Sequence, residues 1–355
     1  MEIILFGKYH GKHGPSRVTH GLSRALGSLG YSPTVLTYGD QNEPPHSRVT
    51  IECLGSMPDS VFEWKQIYKS AQKYVSKANP EIFHALERYP FESDIRTVQW
   101  TSDMFVMWRR TGQRPPIVSF AGECIMNWYS RKGAKSSTVT IAQSPETVSQ
   151  MHSLWRLSPD HVIPLGIEKE FRTAPSKIND PIKVLLVGRI EHRKGHRRLL
   201  RHLDPKTNEY ELTIVGSISD EDYAQQALEG WREHHVGYLS DKKLEREYED
   251  ADVVVVPSYL ETFSMVGLEA LAKGCALVIT DDCGLAQFSW ATPENGVFVA
   301  DGGQHAAELL RDVAGANSLP AYQSAAYQLT EKLTWSRIIQ DYIDKYEDIE
   351  KYKGI

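Results

Sequence analysis

Short continuous apolar runs alternate along this chain with longer stretches whose apolar residues recur every three or four positions. The run EIILF at 2–6 reads as a buried strand. The loop GKYHGKHG follows it, and SRVTHGLSRALGSLG then reads as a helix with Val18, Leu22, Ala25, Leu26 and Leu29 on one face. SPTVLTY returns to strand. EIFHAL and PPIVSFAG read as further strands, with helices such as SVFEWKQIYKSAQKYVSKA among them. Strand, glycine-rich loop, helix, strand predicts the start of a doubly wound parallel sheet.

After HVIPLGIEKEFR the series restarts. It runs strand IKVLLVG, a basic loop, helix HRRLLRHL, strand ELTIVG, helix DKKLEREYEDA, strand DVVVVPS, helix MVGLEALAKG and strand ALVIT. The restart predicts a boundary near Pro164 to Thr173, with one α/β domain over 1–168 and a second over 169–334. The periodic helix TWSRIIQDYIDKYEDIEKY within 335–355 is expected either to complete the second domain or to cross back to the first. Two doubly wound domains would face each other across a cleft, and ligands of such folds bind outside the carboxyl ends of the strands.

With 355 residues, 41% hydrophobic and 24% charged, the chain is long enough for two domains of ordinary composition. A net charge of -6 gives no global footprint for nucleic acid. Cys53, Cys124, Cys275 and Cys283 lack CxxC spacing and read as packing thiols of a reducing compartment. The start MEIILFGKYHG lacks the basic opening of a signal peptide, and no run reaches the roughly 20 apolar residues of a membrane span. A cytoplasmic protein is expected, with peripheral membrane contact left open.

Candidate chemistry concentrates in the second domain. In LLVGRIEHRKGHRRLL a buried strand ends at Gly188 and releases Arg189 and Lys194, a fork and a mobile point charge suited to a diphosphate. Arg193, Arg197, Arg198 and Arg201 read as a solvated basic helix start. In DVVVVPSYLETFSMVGLEALAKG the loop carries Glu261 ahead of a helix carrying Glu269, an E-x7-E spacing, and the amides around Phe263 to Gly267 would form an anion-receptive helix start. Taken alone, Glu261 reads equally well as a cap and Glu269 as an exposed helical carboxylate.

Together and in this order, the two segments resemble the family 4 retaining glycosyltransferases of the GT-B architecture. GRIEHRKG is similar to that family's G-R-x-x-x-x-K-G loop and ETFSMVGLE to its E-x7-E, while GPSRVTHGLSRALGSLGYSPTVLT resembles its N-terminal loop and helix and HVIPLGIEKEF its interdomain segment. The resemblance implies two Rossmann-like domains and a nucleotide diphosphate-sugar as co-substrate, with no other cofactor. It implies that Arg189 and Lys194 grip the diphosphate, Glu269 binds the ribose and Glu261 faces the sugar. Phe263, Ser264, Met265 and Val266 would offer backbone amides, Gly188 would end the strand, Gly14 would approach the diphosphate closely, and Val236 to Leu239 would flank the base. It further implies a front-face reaction that retains the anomer, in which a donor phosphate oxygen takes the acceptor proton, without metal. Asp250-Ala-Asp252 precedes its strand rather than ending one, so it and Asp281-Asp282 read as connections instead of a metal-binding D-x-D.

The pattern departs at Ala121, where many members carry a His that contacts the donor sugar; a pentose or deoxy-sugar donor is one explanation, and substitution by Glu123 or His84 another. Ser16, Arg17, His84 and Glu123 are acceptor-side candidates, with Arg17 suited to an acidic acceptor group. His10 and His13 have HxxH spacing in a loop and read as donor-phosphate or acceptor contacts, or equally as plain solvent-exposed side chains, rather than a metal site. Trp100, Phe105, Trp108, Trp128 and Tyr129 interleave with Arg109, Arg110, Arg131 and Lys132, a set that fits saccharide, lipid headgroup or nucleic acid as well as plain packing. The acceptor, whether glycan, glycolipid or small molecule, is not legible. A nucleotide-sugar epimerase of the same architecture, or a transferase acting on nucleic acid, are the alternatives.

Overall fold

The computed structural model describes residues 1–9, 14–39, 43–98, 106–107, 117–175 and 178–353. Its contacts divide the chain into two compact units, Met1–Gly166 with Trp335–Ile355, and Ile167–Thr334. Each centres on a wholly parallel sheet.

The first unit carries strands β1 (Ile3–Phe6), β2 (Thr34–Thr37), β3 (Thr50–Cys53), β4 (Ile82–Ala85), β5 (Ser93–Val98), β6 (Ser137–Ala142) and β7 (His161–Val162), in the order β3-β2-β1-β4-β5-β6-β7. Helices α1 (Gly14–Ser28), α2 (Val61–Ala78), α3 (Ile117–Lys135) and α4 (Pro145–Gln150) connect them. Because β1 is buried throughout, its sequence is apolar on both faces, as parallel strands covered by helices require; β4 is equally buried and apolar except for His84. Helix α2 begins where the alternation becomes helical: Ser60 accepts from the Glu63 amide and Glu63 answers with the capping contact, while Asn79 ends the helix in the left-handed region.

One strand expectation fails. From Ile117 onward, PPIVSFAG is helical rather than a strand, opening helix α3, which runs to Lys135. Met126, Ser130, Gly133 and Ala134 are buried at helical spacing, so the apolar run belongs to a longer amphipathic segment that its period over a few residues could not reveal.

The second unit carries β8 (Ile182–Val187), β9 (Tyr210–Val215), β10 (His235–Gly237), β11 (Val253–Val256), β12 (Ala276–Thr280) and β13 (Val297–Ala300), in the order β10-β9-β8-β11-β12-β13. Its helices are α5 (His196–Leu200), α6 (Glu221–Ala227), α7 (Asp241–Asp250), α8 (Met265–Ala272), α9 (Gly302–Ala314) and α10 (Leu319–Leu329). One core cluster joins Val184, Leu186, Ile214, Val253, Val255 and Val278 of the sheet to Leu199, Ala307 and Leu310 of its helices.

Helix α11 (Trp335–Lys353) belongs to the first unit, packing on α1 and β4. Ile338, Ile339, Tyr342, Ile343, Tyr346 and Ile349 form its buried stripe. Its entry depends on Gly21, since a Cβ there would lie 2.0 Å from the Trp335 indole nitrogen. No described helix is long and apolar enough to cross a membrane.

Candidate functional site

Beyond β8 the second unit's chain moves to β9 and β10 on one side, and β11 to β13 lie on the other. The loops after β8 and β11 therefore emerge at the topological switch point, where parallel sheets of this kind open to ligands. Lys194 lies on the first loop and Glu261 on the second. Their side chains form an ion pair. Ser258 Oγ donates to the same carboxylate oxygen of Glu261 at 3.3 Å.

Gly195 makes that approach feasible. Its φ of +71 lies in the left-handed region, and a Cβ there would stand 2.0 Å from the Pro257 carbonyl oxygen. Tyr259 N–H donates to the Arg193 carbonyl at 2.9 Å, stitching the two loops together.

Arg193, expected to be solvated, instead bridges the loops. Its guanidinium reaches Glu191 at 3.2 Å, the Leu260 carbonyl at 3.3 Å and the second oxygen of Glu261 at 3.8 Å. Burial would raise the Glu261 carboxyl, but Lys194, Arg193 and the Ser258 hydrogen bond outweigh it and hold the group below the usual carboxylate range. Arg198 is likewise engaged, with Asp282 at 2.7 Å and its guanidinium 4.5 Å from the Tyr259 ring centroid. Arg197 and Arg201 are exposed, as read.

The four residues singled out do not all converge. Arg189 is 55% exposed at its side chain and pairs with Glu191 at 3.3 Å, so it joins Lys194 and Glu261 only through the Glu191 and Arg193 chain of contacts. Glu269 is buried inside α8 and accepts from Tyr248 Oη at 3.0 Å, which corrects its reading as an exposed helical carboxylate. Ser264 caps α8 with φ +100, its Oγ accepting from Gly267 N–H at 3.2 Å. Phe263 is buried, and Met265 and Val266 are half-buried at the helix start. Gly188 packs beside Lys194, whose Cγ and Cδ would lie 3.5 Å from an added Cβ.

Asp252 is buried and accepts from Lys183 N–H at 2.9 Å and from Asn179 Nδ2 at 2.9 Å, while Asp250 pairs with Lys183. Both therefore tie α7 and β11 to the base of β8. Among the described residues no three His, Cys, Asp or Glu side chains gather to hold a metal ion. Cys275 and Cys283 are buried, Cys53 is half-buried, and Cys124 is exposed rather than packed.

In the first unit, Gly14 opens α1, Ser16 is buried on it and Arg17 is half-buried. His84 is not placed to meet a sugar. It is fully buried in β4, with Nδ1 2.8 Å from Tyr346 Oη and Nε2 2.8 Å from Thr97 Oγ1, and burial lowers it to about 3. Glu123 pairs with Arg88 at 3.5 Å, and Ala121 is exposed on α3. His10, His13, Trp100, Phe105, Trp108, Arg109 and Arg110 lie outside the described residues. Sequence reasoning missed Arg193, Ser258 and Tyr248, because nothing local distinguishes them from solvated or packing residues.

Two parallel Rossmann-like units in one chain, the second with paired loops at its switch point, define the GT-B architecture. Residues 168–326, within the second unit, match the family model described as Glycosyl transferases group 1. An uncharacterized glycosyltransferase of Methanocaldococcus jannaschii is 29% identical over 191 residues, covering 50% of this chain and 47% of that protein. The chain thus spans about half the length of that curated relative. Sucrose-phosphate synthase of Thermosynechococcus elongatus superposes with a TM-score of 0.77 at 18% identity, covering 98% of this chain and 99% of that one. HepE of Anabaena, solved with UDP-glucose, superposes at 0.71 with 14% identity, covering 98% of this chain and 100% of that one.

Proposed function

We propose that this chain is a retaining, metal-independent glycosyltransferase that takes a sugar from a nucleotide diphosphate-sugar and passes it to a glycan, glycolipid or small-molecule acceptor. The observation that carries the reading is the meeting of Lys194 and Glu261 at the switch point of the second unit, beside the capped start of α8. An ammonium there can neutralise a departing diphosphate, and the amides at the start of α8 can share its charge. Arg189, exposed and on the same loop, would add a forked contact. Glu261, held ionised, would accept hydrogen bonds from sugar hydroxyls, and Glu269 would bind the ribose diol.

In this scheme the bond from the anomeric carbon to the diphosphate oxygen breaks as the acceptor oxygen bonds on the same face. The acceptor proton passes to a donor phosphate oxygen. The protein's share is position and charge, with no side chain as nucleophile. HepE's pairing with UDP-glucose makes that the first donor to try.

The test incubates the purified protein with UDP-glucose, a UDP-pentose, a deoxy-sugar nucleotide and GDP-mannose, with and without EDTA, against a set of glycan, glycolipid and polyol acceptors. Mass spectrometry scores transfer and proton NMR scores the anomer. Transfer with the donor's anomeric configuration, undiminished by EDTA, is expected. Inversion, dependence on metal, or conversion of the donor to an isomer without acceptor would contradict the proposal, the last pointing to an epimerase.

A further inference from the structure

Helix α2 carries Lys65, Lys69, Lys73 and Lys77 four residues apart, so they run along one face, and all four are exposed. That face lies opposite the buried stripe of Ile67, Tyr68 and Ala71. Phe62, in the same outward direction at the start of the helix, is 68% exposed. None of the four lysines is in an ion pair among the described residues.

Helix α3 lies beside α2, with Tyr129 meeting Tyr68 edge to face at 5.7 Å. Both helices cover the same aromatic layer, in which Tyr68 and Met126 are buried. The side of α3 turned away from that layer bears Ile125 and Trp128, 42% and 54% exposed. Lys132 stands 5.4 Å from the Trp128 ring centroid, and Lys135 is exposed a turn further on. Glu63 serves the α2 cap and Glu123 pairs with Arg88, so neither acid counters the lysines.

We infer that this face of the first unit is a docking surface for anionic lipid bilayers. Three large apolar side chains standing in water cost hydration free energy that insertion at a headgroup boundary recovers, and Trp suits that depth. The lysine row supplies the long-range attraction to anionic headgroups, with ammonium groups on flexible stems able to reach the surface while the stems cover apolar area. A generally basic protein would make such a row unremarkable. This chain carries -6 overall, so the positive face is a local concentration against the bulk charge. Duplex nucleic acid would use the lysines but leave Phe62, Ile125 and Trp128 uncovered, which is why the bilayer is the better occupant.

The inference stands apart from any catalytic reading and needs no donor or acceptor to test. The full chain is sedimented with vesicles of phosphatidylcholine alone or with 30% phosphatidylglycerol, at low and high salt. Binding to the anionic vesicles, weakened by salt, is expected, with at least a tenfold loss of partitioning for the combined K65E, K69E, K73E and K77E variant. Phe62→Ala with Trp128→Ala should lose binding at either salt while leaving the thermal unfolding curve in place. Should the full chain ignore anionic vesicles, should the charge-reversed variant bind them as well as the parent, or should duplex DNA displace the protein from them, the inference is overturned.

Discussion

Lys194 and Glu261, 67 positions apart in the chain, are joined by an ion pair at the mouth of the second unit's sheet. The side chains are only 16% and 15% exposed, so the attraction is largely offset by the cost of desolvating both charges, and removing either partner strands the other. Its consequence is a carboxylate kept charged and an ammonium kept in place. Lys194→Ala and Glu261→Ala should each lower turnover at least about tenfold, the usual scale for a lost charge contact in a transition state. Lys194→Ala should also lower the melting temperature, because Glu261 is left with Arg193 as its one nearby cation among the described residues, and steady-state kinetics alongside calorimetry checks both.

Arg193 contributes one of the two cations that hold Glu261 ionised. Arg193→Met should raise the carboxyl's pKa, so the acid limb of the kcat/KM profile should move to higher pH. Lys at this position should restore part of the shift, because it returns the charge without the fork. A pH profile unchanged in Arg193→Met would show that the guanidinium only ties loops.

Gly195→Ala should damage the site without touching a charged group. The left-handed φ and the 2.0 Å approach to Pro257 leave no place for a Cβ unless the Lys194 loop retreats from the Glu261 loop. A cost of about 1–3 kcal/mol is expected for such a strained position, together with loss of turnover. Chemical denaturation measures the first.

Acid should weaken the first unit through His84. Its folded pKa, lowered to about 3 by burial, lies below the unfolded value of 6.5, so the unfolded chain binds the extra proton and stability falls as pH drops through that window. The slope from this one group approaches about 1.4 kcal/mol per pH unit. Melting curves between pH 7 and 4 should show it. His84→Gln, which cannot take the proton, should flatten it.

The parallel architecture was legible because buried strands such as VVVV and ALVIT stand out as unbroken apolar runs, and because the β8 to β12 series repeats the opening units. Edge strands were not: β3 alternates exposed and half-buried positions over four residues, too short a pattern to separate from loop. Lys194 and Glu261 could be picked out by motif, since each lies on a strand-to-helix loop. Arg193 could not. Its role depends on Leu260 and Glu261 arriving from a distant loop, and a run of basic residues looks the same whether it meets water or a carboxylate. His84 misled in the opposite way, since a histidine in a strand gives no sign that Tyr346 and Thr97 will occupy both ring nitrogens.

The most direct measurement is an equilibrium titration of the purified chain with UDP and with GDP, repeated on Lys194→Ala. If Lys194 grips the donor diphosphate, at least one nucleotide binds the parent chain, and the variant binds it at least about tenfold more weakly. If neither nucleotide binds, or if the variant binds as tightly as the parent, the switch-point loops do not hold a nucleotide diphosphate through Lys194, and the proposed chemistry falls with that contact.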